Sequence, residues 1–317
     1  MLKGKVVILN TRKMNYDGRL DLSGLAEEVV TYDDTTTQQV LERAEGATVV
    51  VTKELPVPKE VMAQLPACVK LIVECGTGYN NLDVVAAKEK GIIVCNVPNY
   101  STQRVAHTTI MHLLALSSSL HQQIRMIAKG DHRNFADHLM VSHTEVNGKT
   151  LGIIGAGTIG REVMRIAKAL DMQILVYTRT PREDEEGISY VSLDEVLSKS
   201  DYLSLHCALT PATHHIIDEA ALAKMKPTAY LINTARGPLI DQAALITALK
   251  NQRLAGAALD VQEVEPLPED SPLYEMDNVI ITPHIGWQGL ETRQRMIDIL
   301  RNDIEAFDAG TPINVVN

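Results

Sequence analysis

The sequence predicts an α/β protein built from two doubly wound parallel-sheet domains, and three observations carry that expectation. At 317 residues the chain is longer than one hydrophobic core usually serves. Short β-branched runs alternate with stretches of helical polarity in both halves, as in parallel strands covered by crossover helices. Near the middle, a glycine-rich turn separates an apolar strand from an amphipathic helix.

In the first hundred residues the segments 5–10, 47–52, 71–74 and 92–96 read as buried strands. Segments 37–45 and 83–90 between them carry helix-like polarity. Pro98-Asn99-Tyr100-Ser101 is a turn ending in a capping residue, and one apolar-rich helix is expected over 102–128. His107 and His112 lie on it, but an i, i+5 spacing does not share a face, so they read as structural or interface residues and no metal site is expected. A second α/β unit follows, with strands over 151–154, 173–177, 202–206, 229–233, 256–259 and 279–282. An amphipathic helix over 289–307 closes the chain and is expected to return to the first domain.

Composition narrows the function classes. The chain is 45% hydrophobic and 22% charged, ordinary for a globular protein. No apolar run approaches the ~20 residues of a membrane span. The start, MLKGKVVILN, runs into a strand-like segment without a secretory apolar region. Cys68, Cys75, Cys95 and Cys207 are scattered, with no CxxC pair, so a reducing cytoplasm is expected. The formal net charge of −10, with no basic block, argues against nucleic acid as a partner. It also means that any anionic substrate needs a deliberately placed positive group.

The sharpest local motif is Gly155-Ala156-Gly157-Thr158-Ile159-Gly160, between the strand at 151–154 and the helix at 159–170. The first glycine permits a tight turn, the second lets a pyrophosphate approach the backbone, and the third lets helix and strand pack closely. The helix N-terminus then offers unpaired N–H groups to the phosphates. This is a dinucleotide site. At the end of the next strand an acidic residue usually bonds the adenosine ribose. Here the sequence is Thr178-Arg179-Thr180-Pro181-Arg182. Two readings stand, a solvated basic turn and a pocket for a 2′-phosphate; the second is preferred, so NADP is favoured over NAD.

Three later segments each place a reactive side chain at the end of a strand, where open α/β sheets bind ligands. Asn233-Thr234-Ala235-Arg236-Gly237 brings an anion clamp. Asp260-Val261-Gln262-Glu263-Val264-Glu265-Pro266 brings an orienting carboxylate, and Thr282-Pro283-His284-Ile285-Gly286-Trp287 a proton carrier. Singly each has a bland reading, as surface charge or packed histidine; together, downstream of a dinucleotide cradle, they point to catalysis.

These segments resemble the D-isomer-specific 2-hydroxyacid dehydrogenase family over nearly the whole chain. Gly76-Thr77-Gly78-Tyr79-Asn80-Asn81-Leu82-Asp83, Asn96-Val97-Pro98 and Leu205-His206-Cys207-Ala208-Leu209-Thr210-Pro211 extend the likeness. CGTGYNNLD, CNVPNYST and TPHIGW look most similar to the glycerate dehydrogenase/hydroxypyruvate reductase branch. The resemblance implies a flavodoxin-like substrate domain from 1–100 plus 287–317, an inserted Rossmann domain over 101–286, an active-site cleft between them, and a homodimer. It implies Arg236 as substrate clamp, His284 as acid/base and Glu265 as its partner. Cys75, Gly76, Thr77 and Gly78 would bind the substrate carboxylate, with Trp287 also at the substrate. Asp260 would hold the nicotinamide carboxamide, and Thr109, Cys207, Ala208, Thr213, Thr234, Ala235 and Gly286 would line the cofactor. Two departures touch the expected interface: Val105-Ala106-His107-Thr108-Thr109 replaces the usual start of that helix, and Gly130-Asp131-His132-Arg133-Asn134-Phe135 lacks the usual tryptophan.

The implied reaction passes a hydride between NAD(P)H and a small 2-keto acid of the glyoxylate or hydroxypyruvate type. His284 donates the proton and Arg236 supplies the local positive charge. A dinucleotide-sensing corepressor of the same fold is the alternative, set back because such relatives usually carry extensions. A formate dehydrogenase is disfavoured, since that branch has Gln where Glu265 stands.

Overall fold

The structure, a computed structural model, describes residues 2–317. The chain divides into two compact units, one formed by Met1–Ser101 and Trp287–Asn317, the other by Thr102–Gly286.

The first unit is a five-stranded parallel sheet of β1 (Leu2–Ile8), β2 (Ala26–Thr31), β3 (Val49–Thr52), β4 (Leu71–Glu74) and β5 (Ile93–Asn96), in the order β2-β1-β3-β4-β5. This is the flavodoxin-like order, with a switch point between β1 and β3. Alternate residues serve opposite faces. Val6, Ile8, Val49, Val51, Leu71 and Val73 pack with Met296, Ile297, Leu300 and Ile304 of the helix Leu290–Asp308. Val7, Val50, Ile72 and Val94 pack on the other side with Met62, Ala86 and Ala87. The closing helix thus returns to the first sheet, as its apolar face predicts. Its buried Arg293 is clamped by Asp17 at 2.6 Å, by the Met14 carbonyl at 2.9 Å and by the Tyr16 ring.

The second unit is a seven-stranded parallel sheet in the order β12-β11-β10-β9-β6-β7-β8. Its strands are β6 (Thr150–Ile154), β7 (Gln173–Tyr177), β8 (Ile188–Tyr190), β9 (Tyr202–Leu205), β10 (Tyr230–Asn233), β11 (Gly256–Leu259) and β12 (Val279–Ile281). Direction reverses beside β6, which puts the glycine turn at the topological switch point. Leu151, Ile153, Val176 and Ile232 pack against Leu113, Val163, Met164 and Ala167. Ile154, Leu205, Leu231 and Leu259 pack on the opposite face against Val196, Leu222, Leu245 and Leu249.

Three local expectations are corrected. Strand β2 is absent from the sequence reading because it is an edge strand with exposed Glu27 and Glu28, so its apolar alternation is weak. Strand β8, also at an edge, has three residues, too few for a period. The single helix expected over 102–128 is two, Thr102–Ser117 and Leu120–Ala128, broken at Ser119 with φ of 48°. The run of three serines explains the break. The Ser117 and Ser118 hydroxyls donate to the Leu114 carbonyl at 2.9 and 2.8 Å, competing with the helical ladder.

Candidate active site

The glycine turn has the geometry its sequence demands. Gly155 has φ of +103°, and a Cβ there would come within 2.6 Å of the Cys207 amide nitrogen. A Cβ on Gly160 would lie 2.3 Å from the Gly155 carbonyl oxygen, so helix and turn close on each other. Gly157 differs: a Cβ there meets nothing within 4 Å. The helix Thr158–Ala169 starts after it without any side-chain cap. Unpaired amides at Thr158 and Ile159 and the positive end of the helix therefore meet open space, which suits an anion. Behind the turn, His206 bonds Ser204 Oγ at 2.8 Å, and burial holds its pKa down to about 3, leaving a neutral wall. On the β9 loop beside it, Cys207 is half-buried, Ala208 exposed, and Thr213 Oγ1 spends its proton on the Ala208 carbonyl at 2.7 Å.

At the end of β7, Arg179 and Arg182 are exposed and make no ion pair among the described residues. Arg161 nearby is taken by Glu185 at 3.2 Å. Thr178 Oγ1 donates to the Thr180 carbonyl at 2.7 Å, fixing the turn.

The β10, β11 and β12 loops form one connected framework. Fully buried Asn233 accepts from the Ala235 amide at 3.0 Å and donates to the Arg236 carbonyl at 2.8 Å, so it shapes the loop that carries Arg236. Arg236 donates from Nη1 to the Ala235 carbonyl at 2.7 Å. Gly237 is pressed on the β11 loop, where a Cβ would lie 1.8 Å from the Gln262 carbonyl oxygen. Glu265 accepts the Gln262 amide on Oε1 at 3.0 Å and meets His284 Nδ1 with Oε2 at 2.9 Å. Nδ1–H donating to that carboxylate fixes the orientation of the imidazole.

Asp260 governs the His284 segment. Its buried carboxylate accepts from Thr282 Oγ1 at 2.6 Å and from the amides of Ile285 and Gly286 at 2.9 and 2.8 Å. Its carbonyl takes the His284 amide at 2.8 Å, while His284 sits at φ of 53°. With 1% exposure and three donors inside the protein, Asp260 positions the His284 turn. Thr109 is fully buried, donates to the Val105 carbonyl, and meets Thr234 Oγ1 at 2.9 Å. His112 lies 3.4 Å from Thr282 Oγ1 with its pKa lowered by burial, in keeping with a structural histidine.

In the first unit, Cys75 is buried at the end of β4 and burial pushes its thiol up, which suits packing rather than reactivity. The Gly76 and Thr77 carbonyls are engaged by the Val97 amide at 3.0 Å and Asn96 Nδ2 at 2.7 Å. The amides of Thr77 and Gly78 have no hydrogen-bond acceptor among the described residues, so they remain available to an anion. Trp287 lies in this unit as well, buried under Lys53.

The family described as "D-isomer specific 2-hydroxyacid dehydrogenase, NAD binding domain" matches residues 110–286. A hydroxypyruvate reductase of Blautia hydrogenotrophica is 39% identical over 322 residues, covering 99% of this chain and 99% of that protein. The chain belongs to the D-isomer-specific 2-hydroxyacid dehydrogenase family. A solved glyoxylate reductase from Paecilomyes thermophila superposes with a TM-score of 0.85 at 32% identity, covering 100% of this chain and 99% of that one. An NADPH-dependent glyoxylate/hydroxypyruvate reductase from Sinorhizobium meliloti, solved with NADP and malonate, gives 0.85 at 28% identity, covering 99% and 97%.

As a D-2-hydroxyacid dehydrogenase the protein is an NAD(P)-dependent oxidoreductase. The open space at Gly157, beside an uncapped helix start, fits the pyrophosphate of that cofactor. Sequence reasoning passed over Lys53 and the shaping role of Asn233. A polar residue ending an apolar strand, as in VVVTK and YLIN, is the signal that marks both.

Proposed function

We propose that this dehydrogenase reduces a two- or three-carbon 2-keto acid of the glyoxylate or hydroxypyruvate class to the D-2-hydroxy acid, with NADPH preferred to NADH. The His284–Glu265 pair, 2.9 Å apart at the ends of β12 and β11, carries the catalytic reading. Bound reduced nicotinamide supplies the hydride. His284 donates the proton from Nε2 to the oxygen that becomes the hydroxyl, and Glu265 orients the ring that does so. Arg236 takes the substrate carboxylate with its planar fork and polarises the neighbouring carbonyl. In the first unit the Thr77 and Gly78 amides are free to bind an anion, and in the second the Gly155–Gly160 turn holds the pyrophosphate. The preference for NADPH rests on Arg179 and Arg182, the basic residues that stand where an acidic one would select NADH.

We also propose a homodimer. Leu120, Ile124, Ile127, Phe135, Leu139 and Met140 are exposed apolar side chains along one stretch of the second unit, Phe135 at 77%, and a second copy would cover them. Sedimentation equilibrium of the parent and of Ile124→Asp tests this, with a shift to monomer expected. Four unpaired cysteines support a reducing, cytoplasmic location.

A panel of 2-keto acids with NADPH and NADH, followed by loss of reduced-nicotinamide absorbance and chiral analysis of the product, tests the activity. Tight cofactor binding without turnover of any keto acid would turn the reading toward a dinucleotide sensor.

A further inference from the structure

Lys53 ends β3 in an unusual environment. Only 3% exposed, it lies with Nζ 4.0 Å from the Trp287 ring centroid and 3.5 Å from the position a Gly76 Cβ would occupy. Its backbone is pinned by Asn10, whose Oδ1 accepts the Lys53 amide at 3.0 Å and whose Nδ2 donates to the Lys53 carbonyl. Burial works against the ammonium, but Tyr100, Glu54 and Glu74 outweigh it and push the lysine up, so it stays charged. Glu74 is fully engaged elsewhere, by Thr52 Oγ1 at 2.6 Å, the Glu54 amide at 2.8 Å and Asn81 Nδ2 at 2.9 Å.

An ammonium has three donors. Among the described residues Lys53 uses one, on Glu54 Oε1 at 2.7 Å, leaving two N–H groups without an acceptor. Trp287 is 5% exposed, and its Nε1–H also lacks a partner. A buried, unsatisfied donor is costly, and buried polar groups normally find partners. Here three such donors come together beside the loop that leaves the Thr77 and Gly78 amides unbonded, and one of the groups carries a full positive charge. The missing partner is an acceptor-rich anion small enough for an enclosed site.

We propose that Lys53 is a substrate-binding residue: its Nζ donates to an oxygen of a small 2-keto acid held at the Gly76-Thr77-Gly78 loop, beside the Nε1–H of Trp287, a residue that the family resemblance already implies at the substrate. The assignment rests on the keto-acid reading of the function. It names a cation, within the first unit, that an acidic protein places for an anionic ligand.

Trp287 is the single tryptophan of the chain, which makes its fluorescence a site-specific probe. Oxamate, a non-reducible analogue of a 2-keto acid, is titrated into wild-type protein saturated with reduced cofactor, with Trp287 emission as the signal. The comparison variants are Lys53→Met and the charge-balanced pair Lys53→Met with Glu54→Gln, which spares the fold an unpaired carboxylate. Saturable quenching in the wild type and at least a tenfold rise in oxamate Kd in the balanced variant are expected. A matching rise in keto-acid KM, larger than any fall in kcat, and an unchanged cofactor Kd should accompany them. Trp287→Phe, assayed by calorimetry, should weaken oxamate by a smaller factor. Wild-type oxamate affinity and KM in the folded balanced variant would overturn the assignment while leaving the proposed reaction standing. A wild type that neither binds oxamate nor turns over any keto acid would overturn both.

Discussion

His284 Nδ1 meets Glu265 Oε2 at 2.9 Å, and the other oxygen of that carboxylate accepts the Gln262 amide at 3.0 Å. Glu265 is thus oriented by the backbone before it orients the imidazole. Glu265→Gln loses the carboxylate that fixes the ring, and should lower kcat for reduction while leaving the cofactor Kd unchanged. His284→Ala should lose ~10²–10⁴ in rate, as expected for a removed general acid. Steady-state kinetics and cofactor titration of both variants check this; a parent kcat in the Gln variant removes Glu265 from its role.

The glycine turn separates ligand space from packing space. Gly157 has φ of −75°, which any residue adopts, and its Cβ would meet nothing within 4 Å. Gly157→Ala should keep the parent melting temperature yet raise the cofactor Kd by about tenfold or more, roughly 1.4 kcal/mol. Gly155→Ala, at φ of +103° and 2.6 Å from the Cys207 nitrogen, should instead lower the melting temperature. Calorimetry of both, with and without cofactor, distinguishes the two positions.

Arg179 is exposed and free of ion pairs among the described residues, so a phosphate dianion has no internal carboxylate to displace. A charge-assisted Arg–phosphate contact contributes about 1.5–3 kcal/mol, or one to two decades. Arg179→Ala should lower kcat/KM for NADPH by that factor and leave NADH nearly unchanged. A wild type that favours NADH, or a preference that survives the substitution, counts against the assignment.

Asp303 tests the first unit alone. Burial raises its pKa from 3.8 to about 6, opposed only in part by the 2.7 Å hydrogen bond from Asn314. A carboxyl with a raised folded-state value contributes stability that is fully present below its unfolded value and is lost as pH rises through about 6. Asp303→Asn keeps a neutral group of similar shape at every pH. Relative to the parent it should gain on the order of 1–2 kcal/mol between about pH 4 and about pH 7, after allowing for solvent screening. Denaturant melts at both pH values read this directly, and an equal offset at the two would contradict it.

The sequence by itself determined the parallel α/β class, the glycine turn, and the strand ends that carry Arg236, Glu265 and His284. These are local encodings: strand runs of Val and Ile, a turn that only glycine permits, and loops that follow buried strands. Tertiary structure decided what depends on distant neighbours. The edge strands Ala26–Thr31 and Ile188–Tyr190 form because a partner strand supplies the hydrogen bonds that their own weak patterns do not announce. The partners of Asp260 and Thr109, namely Thr282, Gly286 and Thr234, are likewise set by the fold rather than by local sequence. Lys53 and Trp287 lie far apart in the chain and meet only because the segment after Gly286 rejoins the first sheet. Period and turn chemistry are written residue by residue, whereas the charge and burial of one side chain are set by whatever the fold brings against it.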